Sequence, residues 1–228
     1  MVGRTGAPHP DARTRCRVAP PASTADSRAS RYAAPVLRRP VRLVLLAGLI
    51  AVSAACGGGT PSSFDPTGAC TTDGSAPGAY PELEARVPTT YRDTAPQTLD
   101  SGRNCSREAL GLLADLGYNE VRFAGGTWSF GAERALAMAV QSAPGLEADQ
   151  IADFYAASAR SNGRTEILAE SELTIGGRPG RRLDTKRSER LQTVVSWPAA
   201  DPDVVNVVIT NDLPDARIAD AIDAFGDR

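Results

Sequence analysis

Residues 174–210 read TIGGRPGRRLDTKRSERLQTVVSWPAADPDVVNVVIT. Three β-like runs, Arg178–Asp184, Arg190–Trp197 and Val204–Thr210, alternate there with turn chemistry. Gly176-Gly177 precedes the first, the polar Thr185–Glu189 follows it, and Ala200-Asp201-Pro202-Asp203 separates the last two. Runs rich in β-branched and apolar residues, bounded by Gly, Pro and Asp, are hairpin signals. A fourth run, Glu166–Ile175, leads into Gly176-Gly177 and completes a four-strand meander. Consecutive hairpins dictate an antiparallel sheet, and helices must then cover its apolar faces.

Toward the C-terminus, a helix is predicted from Pro214, with Ile218, Ile222 and Phe225 at i, i+4 and i+7. Before the meander, Leu146–Arg160 is the clearest helix. Ile151, Phe154, Tyr155 and Ala159 share one stripe, and Gly163 ends it. Further back, Ala135–Gln141 (ALAMAVQ) suits either helix or strand by composition, and its length between Gly131 and Pro144 favours a strand. Glu120–Phe123 and Trp128–Phe130 read as short β-like pieces around Gly125-Gly126. Ser106 is placed to cap a helix running to Leu116, with Gly117 as its stop. Leu83, Ala85 and Val87 alternate with charges, which suggests a short first strand. The expectation is one α+β domain over 80–228, an antiparallel sheet with helices on its faces in an α/β/α sandwich.

The order strand, Gly-Gly-x-Pro-Gly, strand, polar turn, strand, turn, strand, helix ending in Phe225 covers about 165–226. It resembles the C-terminal half of the PsbP-like fold, which recurs in photosystem extrinsic proteins and in many actinobacterial lipoproteins. The resemblance implies a hairpin architecture and transfers no catalytic residue.

The N-terminal quarter is of another kind. Residues 1–56 hold nine Arg against two Asp, a charge of +7, which leaves −9 for 57–228. Such an asymmetry marks a leader beside a folded part. Residues 1–35 are rich in Arg, Ala, Pro and Ser with no apolar period, a composition that does not fold. They are expected to lie upstream of the true start, at Val36 or Val41. The apolar run Leu43–Ala55 is 13 residues long, against the roughly 20 that a membrane-spanning helix needs. Arg38, Arg39 and Arg42 precede it, as in the basic n-region of a signal peptide, so 36–55 reads as such a peptide. It ends in Val52-Ser53-Ala54-Ala55-Cys56, which resembles the lipobox of bacterial lipoproteins, although Ser53 stands where Leu is usual. The resemblance implies lipidation at Cys56, cleavage before it, and anchoring on the outer face of the cytoplasmic membrane. Residues 56–79, Gly, Pro, Ser and Thr-rich, then read as a flexible tether. Of the four cysteines, Cys16 lies in the leader, and Cys70 and Cys105 form an even pair in an exported protein. A Cys70–Cys105 disulfide is predicted.

The residues also exclude chemistries. The only histidine is His9, so 57–228 has no His for a Ser-His-Asp or Cys-His site, a His general base or a His-metal site. The single lysine, Lys186, falls in a polar turn, whereas a nucleophilic lysine needs burial. Gly125-Gly126 and Gly176-Gly177 lack phosphate-loop spacing. The net negative charge argues against nucleic-acid binding. Carboxylates survive as candidates: Glu166, Glu170 and Glu172 along one strand, and Asp201 and Asp203 about Pro202, each more simply read as a solvated strand face and turn chemistry. Trp128 and Trp197 are expected in the core. Arg178, Arg181, Arg182, Lys186, Arg187 and Arg190 form the one basic cluster, suited to anionic headgroups or wall polymer unless neighbouring acids balance it. No catalytic residue, metal or cofactor is assigned. The expected function is a non-enzymatic, membrane-anchored binding or accessory module of the envelope, with an unidentified envelope protein or polymer as partner. The alternatives are a carboxylate-dependent hydrolase of envelope polymers and a lipid carrier.

Overall fold

The computed structural model describes residues 64–226. The leader, the signal segment and Cys56 lie outside the described residues.

The first meander comprises β1 (Gly74–Ala76), β2 (Thr98–Asn104), β3 (Val121–Ser129) and β4 (Ala135–Ser142), the second β5 (Thr165–Ile175), β6 (Arg178–Arg187), β7 (Arg190–Pro198) and β8 (Val204–Asn211). They join into one antiparallel sheet in the order β1-β2-β3-β4-β8-β7-β6-β5. The helix α4 (Ala148–Ser161) carries the chain from β4 at the centre to β5 at the far edge, and the second meander walks back until β8 pairs with β4. The architecture is α+β.

Side chains of successive strand residues point to opposite faces, so each strand feeds two cores. Trp128, Leu136, Met138, Val195, Trp197 and Val208 line one face, packed by α1 (Pro81–Glu84) through Leu83, by α5 (Asp215–Asp223) through Ile218, and by Phe225 just beyond α5. Val121, Leu183, Val194, Val205 and Val207 line the other, covered by α4 and by two short helices, α2 (Arg107–Leu110) and α3 (Leu112–Asp115). A capping box between Glu147 and Gln150 starts α4, and Ile151, Phe154 and Tyr155 are its buried stripe. The Ser196 hydroxyl donates to the Ala148 carbonyl at 3.1 Å and fixes that helix on β7.

Several expectations are corrected. Leu83, Ala85 and Val87 do not form a strand. Pro81 sits at the first position of α1, Leu83 is buried within it, and i→i+3 turn bonds from Arg86 N and Val87 N carry the chain on to the buried Val87. The helix expected over 106–116 is split at Gly111, whose φ of 50° a Cβ-bearing residue adopts reluctantly. The two β-like pieces around Gly125-Gly126 are one strand, β3. A Cβ on Gly126 would lie 3.0 Å from the Trp128 ring and 3.2 Å from Pro96, so this glycine makes room for close packing. Strand pairing continues through Arg187, which shortens the expected Thr185–Glu189 loop to Ser188-Glu189, with Ser188 at φ 56°. The expected tether is partly fold: Phe64–Ala79 packs on the domain and contributes β1.

Candidate functional site

The segment that packs against the end of β2 is held by one buried cation. Arg103 is 4% exposed. Its Nη1 donates to the Gly68 carbonyl at 2.7 Å, and its Nη2 donates to the carbonyls of Asp65 and Ala69, both at 3.1 Å. The guanidinium also stacks over Phe64, 5.5 Å from the ring centroid. Its Nε is buried and has no partner. Beside it, Cys70 and Cys105 form the predicted disulfide, with a Cα–Cα distance of 5.7 Å. Asp73 completes the clasp. Its carboxylate accepts from the Ser106 hydroxyl and from the backbone N–H of Ser106 (2.8 Å) and Cys105, while the Ser106 oxygen accepts from Ala109 N at the start of α2. Burial opposes the Asp73 charge, but these three donors outweigh it and hold the carboxyl below its usual range.

The six residues of the predicted basic cluster do not form one surface. Arg178 and Arg187 stand at opposite ends of β6, roughly 30 Å apart at the rise of a strand. Arg181 shares a face with Leu183, while Arg182 lies on the other. Carboxylates take four of the six. Arg181 meets Asp149 at 3.7 Å, and Arg182 bridges Asp184 at 2.8 Å and Asp215 at 2.7 Å. Lys186 meets Glu189 at 3.4 Å, and Arg190 pairs with Glu133 and, at 3.0 Å, with Asp212. Among the described residues, Arg178 and Arg187 have no such partner.

The candidate acids do not converge either. A β-bulge between Ile167 and Ala169 shifts the register of β5. Glu166 therefore shares a face with Lys186, whereas Glu170 and Glu172 project to the opposite one, and Glu170 pairs with Arg160 on α4. Asp201 pairs with Arg86, and Asp203, at φ 62°, accepts from Gly145 N at 2.9 Å to brace the preceding loop. Among the described residues, no three His, Cys, Asp or Glu side chains come together as metal ligands. Trp128 and Trp197 are each 2% exposed, and the Trp128 indole donates to Thr94 O at 2.9 Å.

Two features escaped the sequence reading. Asp100, on β2, carries a buried oxygen without a partner. Burial, with Glu84 adding repulsion, pushes its carboxyl above the usual range. The other is a shallow, wide-open cleft of about 790 Å³ at the C-terminal end of α4, lined by Ser158, Ser161, Asn162, Gly163, Arg164 and Arg187. Arg164 carried no motif. Only the pairing of Thr165 with Arg187 brings it beside the β6 end.

The sequence matches no protein-family model and no curated protein. Among solved structures, it is similar to an immunity protein, TplEi of Pseudomonas aeruginosa, complexed with a peptide, at 12% identity and a TM-score of 0.31. That likeness covers 47% of this chain and 46% of the immunity protein, so the chain spans less than half of that protein's length. A second is a Pseudomonas aeruginosa protein of unknown function, at 15% identity and TM-score 0.27 over 43% of this chain and 72% of that one. A third is cyanobacterial PsbP from Synechocystis, at 9% identity and TM-score 0.29 over 55% of this chain and 88% of that one.

Proposed function

We propose that this protein is a lipid-anchored, non-enzymatic binding module of the bacterial envelope, attached through Cys56 and held close to the outer face of the cytoplasmic membrane. The clasp is the observation that carries the reading. A disulfide joined to a buried arginine is an investment suited to an oxidising compartment. It also fixes the chain from Phe64 onward to the end of the sheet. Cys56 and Phe64 are eight peptide steps apart, a span of at most about 29 Å fully extended. A lipid on Cys56 thus keeps the clasped end of the sheet at the membrane and turns the other end outward.

No helix among the described residues is long and apolar enough to cross a membrane. The strand and turn pattern on which the resemblance to the PsbP-like fold rests is present as β5–β8 and α5. Glu166 faces away from Glu170 and Glu172, Glu170 is paired with Arg160 and Asp201 with Arg86, which favours a binding module over a carboxylate-dependent hydrolase with two free converging acids. The polar lining of the α4 cleft does not suit a lipid carrier. Intact mass spectrometry of the protein extracted from membranes, before and after reduction, tests the proposal. A mass starting at Cys56 with added acyl chains is expected. An unmodified mass starting elsewhere overturns the anchor.

A further inference from the structure

The cleft at the end of α4 has an imbalance of donors over acceptors. Ser161 Oγ donates to Ser158 O at 2.9 Å, and Asn162 N donates to Ala159 O at 3.2 Å. Thr165 N donates to Asn162 O at 2.8 Å, and Arg164 N donates to Asn162 Oδ1 at 3.2 Å. The carbonyls of Ser158 and Ala159 in the last turn of α4, and both oxygens of Asn162, are therefore engaged within the chain, which offsets part of the negative charge that a helix C-terminus presents. The arginine side chains are different: Arg164 and Arg187, each with five guanidinium N–H donors, are among the lining residues with Ser158, and no Asp or Glu is. The neighbouring cations differ: Arg160, Lys186 and Arg190 each pair with a carboxylate. Among the described residues, Arg164 and Arg187 pair with none.

We propose that this cleft binds a phosphoryl group, gripped between Arg164 and Arg187. The two guanidiniums approach from different elements, the α4–β5 turn and the end of β6. A tetrahedral oxyanion offers acceptor oxygens in both directions, whereas a carboxylate presents two oxygens in one plane and suits a single fork. Arg187 is half-buried, and its backbone is fixed by pairing with Thr165 and Arg190, so one jaw is preformed. The cleft lies at the end of the sheet opposite the clasp, and this inference goes beyond the anchoring proposed above without depending on it.

The test uses the full chain in detergent micelles, titrated with inorganic phosphate and followed by the amide shift of Gly163 and the Nε shifts of arginine. Saturable shifts at Gly163, Arg164 and Arg187 are expected, with chloride at matched ionic strength producing none. Arg164→Gln and Arg187→Gln should each weaken binding roughly tenfold with an unchanged melting temperature. Poly(glycerol phosphate) and phosphatidylglycerol vesicles then identify the source. Tighter binding of the polymer assigns the site to a polymeric phosphodiester, and tighter binding of the vesicles assigns it to a lipid headgroup. Linear shifts reproduced by chloride, or variants that titrate like the parent, overturn the proposal. Loss of the lipid anchor would leave this titration unchanged, so the two proposals fail separately.

Discussion

Arg103 and Asp100 sit on the same strand and illustrate opposite uses of burial. Arg103 gives its charge to main-chain carbonyls of Asp65, Gly68 and Ala69. Charge-assisted bonds of this kind are stronger than neutral ones, and removing the donor leaves carbonyls facing a hole. Arg103→Met is therefore expected to cost about 2–4 kcal/mol in urea denaturation. It should also release Phe64–Asp73 to rapid amide exchange while β4 and β8 stay protected. Asp100 gains nothing comparable: its buried oxygen is unpartnered, and its pKa is raised by burial and then by Glu84. A raised carboxyl pKa contributes stability below the usual carboxylate range and loses it as pH rises through the folded-state value. Above that value the ionised Asp100 is a burden, so Asp100→Asn should stabilise the protein by about 1 kcal/mol at pH 7. That gain should shrink as pH falls through the raised folded-state value, where the parent carboxyl also becomes neutral. A destabilised variant at pH 7 would show that Asp100 holds a partner.

At the scale of elements, the clasp joins three weak pieces, namely the Phe64–Asp73 segment, the three-residue β1 and the four-residue α2. None could persist alone. The disulfide closes a separation of 35 residues, which the chain-entropy model values at about 3–4 kcal/mol. The Cys70→Ser/Cys105→Ser pair should lose that much in denaturation. Asp73 adds a pH dependence of the other sign. Its pKa is depressed in the fold, so its stabilisation is present above the usual carboxylate range and vanishes as pH falls through the folded-state value. Asp73→Asn should thus lower the midpoint at pH 7 and converge with the parent in acid. The same elements explain what was legible in the sequence. The β5–β8 meander could be read because each strand carries apolar residues between strong turn signals. β2 (TLDSGRN) has one large apolar residue and one glycine, and it becomes a strand only through what it pairs with. A Cβ on Gly102 would stand 2.2 Å from Gly74 O, so this glycine exists to admit β1, a tertiary demand that no local pattern announces. The basic cluster misled for a related reason. Charge counts along the chain say nothing about acids from α4, the β3–β4 turn and the stretch around α5, which reach Arg181, Arg182 and Arg190 from elsewhere. Arg164 was passed over because Arg187 is its neighbour only in space, through the pairing of β5 with β6.

On the scale of the whole molecule, the question is whether the two meanders unfold together. They meet at the β4–β8 pair, which runs the full eight residues from Ala135 with Asn211 to Ser142 with Val204. The core on the α1–α5 face continues across that seam. Trp128 of the first meander and Trp197 of the second belong to one cluster, linked through Leu136, Met138, Val195 and Val208. Neither half could keep its apolar face covered after the other left. α5 rests on β8, and its neighbour Phe225 stacks edge-on with Trp197 at 5.1 Å, whereas α1 packs on β2 and β3. Losing either half would expose the seam strands on their paired edges as well as on their faces, which couples the halves energetically. One cooperative transition follows. The two tryptophans make the test direct, because each reports on its own meander. In Trp128→Phe the remaining indole reads the second half, and in Trp197→Phe it reads the first. Each variant will be destabilised, by about 1–3 kcal/mol for a truncated buried aromatic. Its fluorescence midpoint in urea should nonetheless coincide with its own far-ultraviolet circular dichroism midpoint. If the indole of either variant reported a transition separated from that of the backbone, the sheet would be two folding units sharing an edge, and the clasp would stabilise only the first.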